Sequence, residues 1–386
     1  MAGAIKKEHT MFQATFGVSD AFAFVLIVLA ALAFVAAFRF FRRTTPISKV
    51  HQRPHLHLHP AKNCKFDEEE VRRTRHLATP PIDTSNLPPA DARIVAAMAQ
   101  ITKADVEQML REFSGEVDTV VRGQTVRIRS RNTFGGDIIH AHNKIFDWYK
   151  ALGFEVELQS YKYRGKTLYN VIAKKKGSKT PDKWLLLGAH TDSTAGDTGR
   201  AEPVAPGADD DGSGTVGLLL MAKRIAELDL GVSVMFCHFS GEEQGLWGSA
   251  VHADKVAAEK LQIVGQLQFD MIGYCNKPGN RLDIHDDVDR NGSHSLVVSA
   301  VRAAKRYALN LKVVDTHNRA VTGRSDHASY QNHGYKAVLF SEEFSDDGFN
   351  PNYHSTGDRV ASCNLDFMVE VIRLGIACIA DLGDLR

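Results

Sequence analysis

Five short segments of this sequence place metal-ligating or acid–base side chains just beyond apolar runs or in a loop. The run Trp184–Ala189 leads straight into His190-Thr191-Asp192. Imidazole is a good zinc ligand and needs a hydrogen-bond partner to fix its tautomer, which a carboxylate two residues on can provide. A lone H-x-D is common without any metal. Next, Pro206-Gly207-Ala208-Asp209-Asp210-Asp211-Gly212-Ser213-Gly214 opens a helix with three adjacent carboxylates. A helix N-terminus offsets their repulsion a little and a divalent cation offsets it far more; a solvated acidic turn with an N-cap is the plainer alternative. The run Val232–Phe239 delivers Ser240-Gly241-Glu242-Glu243. One glutamate of such a pair can ligate a metal while its neighbour takes a proton from a metal-bound water; an exposed helix start also favours glutamate. The apolar run from Ile263 to Phe269 ends at Asp270, and Pro351-Asn352-Tyr353-His354 puts a histidine in a loop ahead of the last helix. Taken together, His190, Asp210, Glu243, Asp270 and His354 form an oxygen- and nitrogen-rich set that suits a pair of zinc ions.

Those residues need a scaffold that brings strand ends together. Strands are expected at Phe154–Tyr163, Leu168–Lys174, Trp184–Ala189, Val232–Phe239, Ile263–Met271 and Lys336–Glu342. Helices are expected at Gly214–Leu228, Gly245–Glu259, Ser295–Leu309, Ser325–His333 and Phe367–Leu382, preceded by one helical pattern over Pro89–Phe113 and another ending at Gly153. Strands alternating with helices, some of them apolar on both faces, predict a three-layer α/β/α domain with a mostly parallel mixed sheet. Functional groups in such sheets gather where strands end.

The chain has 386 residues, 44% of them hydrophobic and 24% charged, which is enough to bury a large core. A net charge of +1 gives no field that would recruit nucleic acid. Seventeen histidines raise the question of metal. The five cysteines (Cys64, Cys237, Cys275, Cys363 and Cys378) are scattered and lack C-x-x-C spacing, so they form neither a disulfide framework nor a cysteine zinc site.

The N-terminal part differs from the rest. After a tail of residues 1–20, the eighteen residues Ala21–Phe38 carry no charge. That is about the length a membrane-spanning helix needs, roughly 20 residues, and a single-pass transmembrane helix is expected over 21–41. A stalk over 44–94 follows, punctuated by prolines and containing His55, His57 and His59, which read as a solvated linker. The catalytic domain is expected over 95–386. Lys6 and Lys7 precede the apolar run, whereas Arg39, Arg42, Arg43, Lys49 and Arg53 follow it. That bias places the C-terminal side in the cytoplasm.

From Lys103 onward the sequence resembles the two-zinc aminopeptidases related to secreted bacterial leucyl aminopeptidases, of the zinc exopeptidase clan. The likeness is dense across H-T-D-S, A-P-G-A-D-D-D-G-S-G, G-E-E-Q-G-L-W-G-S, Q-F-D-M, S-D-H-A-S-Y and N-Y-H-S-T-G-D. It implies that Asp210 bridges two zinc ions, with His190 and Asp270 completing one site and Glu243 and His354 the other. It also implies Glu242 as general base and then acid, Asp192 as the partner of His190, and a cis peptide between Asp210 and Asp211. Peptides with a free N-terminus are the implied substrates. Asp326 and His327 should lie near the site. The relatives' secreted habit argues for the opposite membrane side from the charge count. Two departures stand out. The relatives carry a disulfide, and a tyrosine where Thr322, Gly323 and Arg324 stand here. In addition, Glu342, Glu343, Asp346 and Asp347 crowd the loop before His354, either as a solvated face or as a site for a substrate ammonium. The alternatives within the same fold are a glutaminyl-cyclase-like or carboxypeptidase-like enzyme, or a membrane-tethered binding protein without activity. The full D-D-D-G run argues against a cyclase, and the intact residue set against an inactive protein.

Overall fold

The computed structural model describes residues 81–286, 291–316, 321, 323–344 and 348–386. The expected tail, the transmembrane helix over 21–41, the stalk up to residue 80, Thr322, Asp346 and Asp347 lie outside the described residues. Among the described residues, no helix is long and apolar enough to cross a membrane.

Eight strands make one twisted sheet: β3 (Glu155–Tyr163), β4 (Lys166–Lys175), β5 (Thr180–His190), β6 (Val232–Phe239), β7 (Gln262–Phe269), β8 (Arg281–His285), β9 (Lys312–Thr316) and β10 (Ala337–Ser341). Their spatial order is β3-β4-β6-β5-β7-β10-β8-β9. The central strands β6, β5, β7 and β10 run parallel, and antiparallel pairs flank them. A separate hairpin joins β1 (Thr119–Val121) to β2 (Gln124–Val126).

Alternate residues of the central strands enter two different cores, as the two-residue repeat of a strand requires. Leu185 and Leu187 of β5, with Val234 and Phe236 of β6, pack on the face carrying α2 (Lys103–Phe113), α3 (Ile138–Ala151), α4 (Gly212–Ile225), α6 (His294–Arg306) and α8 (Leu365–Leu382). Trp184, Leu186, Met235 and Cys237 point the other way, toward α5 (Trp247–Ala258) and α7 (His327–Gln331). Every residue of β6 is buried, which explains why six of its eight residues are apolar. The expected three layers are therefore present, with a mixed sheet.

The expected long helix over Pro89–Phe113 is two helices, α1 (Ala92–Ala99) and α2. Asp91 caps the first by accepting from the Arg93 amide, and Thr102 caps the second by accepting from the Asp105 amide. The break at Thr102 follows from that cap. Residues 81–94, the end of the segment expected as stalk, lie against the body: Ile94 is fully buried, and Arg302 and Arg306 donate to the carbonyls of Asp83 and Pro89. Strands β8 and β9 were not among those expected. Each has only five residues and carries charged positions (Arg281, Asp283, Lys312, Asp315), which hides the strand pattern.

Candidate metal centre

Four neighbouring parallel strands end on one side of the sheet, and their carboxyl ends carry most of the candidate residues. β5 ends at His190, β6 delivers Glu242 and Glu243, β7 is followed by Asp270, and β10 by Glu342. The loop Pro206–Asp211 approaches from the start of α4. A Cβ on Gly214 would collide with the Phe269 carbonyl oxygen, and that close approach of helix to strand sets Asp210 beside Asp270. Gly207 has φ +49 and equally little room, so glycine is required there too. The Asp210–Asp211 peptide is cis, as the family resemblance implies.

Asp210 presents one carboxylate oxygen to each of two clusters. Its Oδ1 lies 3.1 Å from His190 Nε2, which is 3.5 Å from Asp270 Oδ1. Its Oδ2 lies 3.0 Å from His354 Nε2, which is 2.9 Å from Glu243 Oε2. In each trio the candidate ligand atoms all lie within 4.8 Å of one another. Glu242 and Glu243 are both buried beside them. Met271 and His354 adopt left-handed backbone conformations, at φ +56 and φ +50, uncommon for non-glycine residues and concentrated at functional sites.

The electrostatics show what the pocket needs. Burial opposes charge on Asp210, but the two histidines on its oxygens outweigh it and hold the carboxyl below the ordinary range. Burial likewise opposes charge on His190 and His354, and the facing carboxylates, led by Asp270 and Glu243 respectively, raise both rings well above their usual value. Glu242 is pushed well above the carboxylate range by burial, against the pull of His190. Burial pushes Glu243 up to about 7, against the pull of His354. Buried carboxylates here outnumber the imidazoles that face them, an arrangement that is costly unless cations compensate. Two foci of His and carboxylate donors, sharing one carboxylate, fit a pair of zinc ions.

The residues around the ligands fix their orientation. His190 Nδ1 lies 3.0 Å from the main-chain oxygen of Asp192, whereas the Asp192 carboxylate stands 3.7 Å away. Asp192 thus partners His190 through its backbone. Its side chain instead accepts from the amides of Glu242 and Glu243, at 3.3 Å each, and from Thr133 Oγ1 at 2.8 Å. Asp211 accepts from the amides of His190 and Gly214, tying β5 to the start of α4. Ser325 Oγ donates to Asp270 Oδ2 at 2.6 Å. Asp326 accepts from Gln268, and His327 is fully buried with its pKa pushed down to about 3 by that burial.

Three features escaped the sequence. Arg131 is completely buried and donates to the carbonyls of Phe113, Thr191, Pro206 and Gly207 at 2.6–2.8 Å. It sits outside every motif, and only a lone arginine before the Asn132-Thr133 pair marks it. Asp358 accepts from the amides of Asp209 and Asp210; it closes the N-Y-H-S-T-G-D motif, which signalled it without giving a role. Tyr353 stacks on His354 at 3.6 Å between ring centroids and lines the metal cleft with Arg324.

Of the four acidic residues before His354, Glu342 and Glu343 are among the described residues. Glu342 is not on a solvated face: it is fully buried, accepts from the Asn350 amide at 2.7 Å, and is held well above the usual range by burial and by Asp209. Glu343 is paired with Arg281. Neither lines the cleft beside the metal-ligand candidates. A third grouping, Asp286, His294 and Asp315, lies at the β8–β9 edge of the sheet, and each of these residues makes further interactions.

Comparison with known proteins places this site in context. The profile "Peptidase family M28" matches residues 170–378. A probable leucine aminopeptidase of Trichophyton verrucosum (strain HKI 0517) is 27% identical over 322 residues, covering 80% of this chain and 82% of that protein. Leucine aminopeptidase 2 of Trichophyton equinum is 31% identical over 223 residues, covering 52% of this chain and 42% of its own length. Among solved structures, LapB from Legionella pneumophila superposes with a TM-score of 0.61 at 22% identity, covering 82% of this chain and 79% of that one. A glutaminyl cyclase from Fimbriiglobus ruber gives 0.59 at 17% identity, covering 78% and 99%. At those identities the structural likeness speaks to the fold alone, and the fold is shared by enzymes of different names.

Proposed function

The chain is an enzyme of peptidase family M28, and from that premise we propose that it is a zinc-dependent aminopeptidase that removes single residues from peptides with a free N-terminus. The observation that carries this reading is Asp210, with one oxygen facing His190 and Asp270 and the other facing His354 and Glu243. Names of the matched relatives support the same reading, since they are leucine aminopeptidases.

His190, Asp210 and Asp270 would hold one zinc ion, and Asp210, Glu243 and His354 the other. Two zinc ions in that position supply an acidified water and polarise the scissile carbonyl. The chain's own residues do the rest. Glu242, held above the usual carboxylate range by burial, is the general base: its carboxylate takes the proton of the attacking water and returns it to the leaving amine nitrogen. Asp192 holds the amides of Glu242 and Glu243, so base and ligand keep a fixed spacing. Met271, Phe344 and Tyr353 give the cleft an apolar lining beside the ligands, suited to an apolar first residue of the peptide.

The test is to count zinc per chain and to assay a panel of aminoacyl-nitroanilides with and without a chelator. Two tightly held zinc ions, activity on apolar aminoacyl substrates, and loss of that activity on chelation with return on adding zinc are expected. A single tight ion, or conversion of N-terminal glutamine without aminoacyl hydrolysis, would replace this reading with the cyclase-like one.

A further inference from the structure

The loop over residues 193–205 joins the exit of β5 to the turn ahead of Asp210, so both its ends lead to candidate metal ligands. Those ends are clamped together. Ser193 Oγ donates to the Ala205 carbonyl at 2.8 Å, and the Ala205 amide donates to the carbonyl of Arg129 at 3.1 Å. Inside the loop stands half-buried Glu202, which belongs to no motif and has no part in the proposed mechanism. Its Oε2 accepts from Asn132 Nδ2 at 2.9 Å, from Thr194 Oγ1 at 2.7 Å and from the Ala195 amide at 2.9 Å. Its Oε1 accepts from the Asp197 amide at 3.0 Å. Asn132 is fully buried and Thr194 almost so. All four donors are uncharged, and bonds from such donors to a carboxylate are stronger than bonds between neutral groups. Glu202 is therefore the hub of the loop.

The hub connects to the metal centre on two sides. On one side, three successive side chains hold the surroundings of the ligands: Arg131 the Pro206-Gly207 turn, Asn132 the carboxylate of Glu202, and Thr133 the carboxylate of Asp192. On the other side, Thr194 Oγ1 accepts from the Gly196 amide at 3.1 Å, which shapes the turn at Gly196. Gly196 has φ +109, a conformation that favours glycine, and a Cβ there would stand 3.4 Å from the His354 carbonyl oxygen. The loop backbone thus packs against the main chain of His354. His354 has φ +50, and a residue with a side chain keeps such a conformation only where its surroundings impose it. His190 and Asp210 have ties that bypass Glu202: Asp211 accepts from the His190 amide, and Asp358 from the Asp210 amide.

We propose that Glu202 is a positioning residue for the trio Asp210, Glu243 and His354: by gathering the loop it seats Gly196 against His354 and keeps the imidazole aimed at Asp210 and Glu243. The inference rests on the two-zinc reading of the site. Removing the carboxylate frees four donors at once, the loop relaxes, and His354 loses the backing of its main chain. The zinc ion held by that trio is then weakened, whereas the ion held by His190, Asp210 and Asp270 keeps its ligands in place.

Graded chelator added to the zinc-loaded full chain, with bound zinc counted at each step, tests the proposal. In Glu202→Ala one ion should be held at least about tenfold more weakly than in the natural chain, the low end of the effect of groups that orient metal ligands, while the other is released where the natural chain releases it. Glu202→Gln can keep the three bonds made to Oε2 and gives up that of the Asp197 amide, so it should shift the same ion by less. Trypsin reads the loop directly, since Arg200 is 85% exposed and cleavage follows local opening. Cutting after Arg200 in the zinc-loaded chain should be severalfold faster in Glu202→Ala and intermediate in Glu202→Gln. The proposal is overturned if both ions weaken together in the variants, if neither weakens, or if cutting after Arg200 keeps its natural rate. Failure of the two-zinc reading shows in the natural chain, as a single tight ion, and overturns both; failure of this proposal alone shows only in the variants.

Discussion

In the proposed mechanism, the two adjacent glutamates at the exit of β6 take different roles because their side chains meet different neighbours. Glu243 faces His354 at 2.9 Å, whereas Glu242 lines the cleft, with burial and His190 pulling its carboxyl in opposite directions. Glu242→Gln keeps the size of the side chain and removes its basicity. General acid–base catalysis contributes ~10²–10⁴-fold, so turnover should fall by at least about 10²-fold while the zinc content stays that of the natural chain. Near-normal turnover in a zinc-replete Glu242→Gln protein would move the base elsewhere. Asp192 acts at one remove, since its carboxylate accepts two amides and the Thr133 hydroxyl rather than the His190 ring. Asp192→Asn should therefore lower turnover by roughly 10–100-fold, the usual effect of groups that orient metal ligands. The pH profile should also change, because the amide of asparagine cannot accept from all three donors. An unchanged profile with lowered stability would reduce Asp192 to a structural role.

At the scale of elements, the site depends on loops that secondary structure alone does not pin. Arg131 is the tie. It reaches the C-terminus of α2 at Phe113, the exit of β5 at Thr191 and the Pro206-Gly207 turn ahead of Asp210. Its charge is buried among Asp211, Asp358, Asp210 and Asp192, which offset part of the burial cost. Removing it leaves those carbonyls and carboxylates without their cation. Arg131→Met should cost at least about 3 kcal/mol, the lower range for breaking a buried ion pair by deleting one partner. Denaturant unfolding of the zinc-loaded protein measures it. Arg131→Lys should recover only part of the loss, because an ammonium has three donors and no planar fork. A loss below about 1 kcal/mol would mean that the loops hold themselves. Such ties are invisible in the sequence, because a lone arginine carries no period and no motif. The strands that deliver His190, Glu242 and Asp270 were legible because they are buried toward their carboxyl ends and mostly apolar there, with only a few polar residues among them. Strands β8 and β9 were not, because charged residues interrupt their short runs. Glu342 escaped for a related reason. Composition makes Glu342 look solvated, but Asn350 and Asp209 receive it inside the fold. Only tertiary structure supplies such partners.

At the scale of the whole molecule, the described residues all lie at or beyond position 81, and the N-terminal 80 residues carry a different sequence pattern. The eighteen uncharged residues Ala21–Phe38 are near the ~20 needed to cross a bilayer core as a helix. We propose that they anchor the enzyme as a single-pass membrane protein, with the proline-punctuated segment after them acting as a spacer. Two lysines, Lys6 and Lys7, precede the run, and five basic residues from Arg39 to Arg53 follow it. Lysine and arginine near a span are retained on the cytoplasmic side, so the catalytic body is expected to face the cytoplasm. Two measurements separate anchor from side. A chain lacking residues 1–44 should leave the membrane fraction and remain active, because the segments that hold the metal centre together begin at Phe113, well past the cut. If it pellets with membranes as firmly as the full chain after an alkaline wash, the anchor lies elsewhere. Protease added outside sealed, cytoplasm-out vesicles should digest the catalytic body of the full chain. Protection of that body until the vesicles are opened would reverse the orientation while leaving the anchor intact.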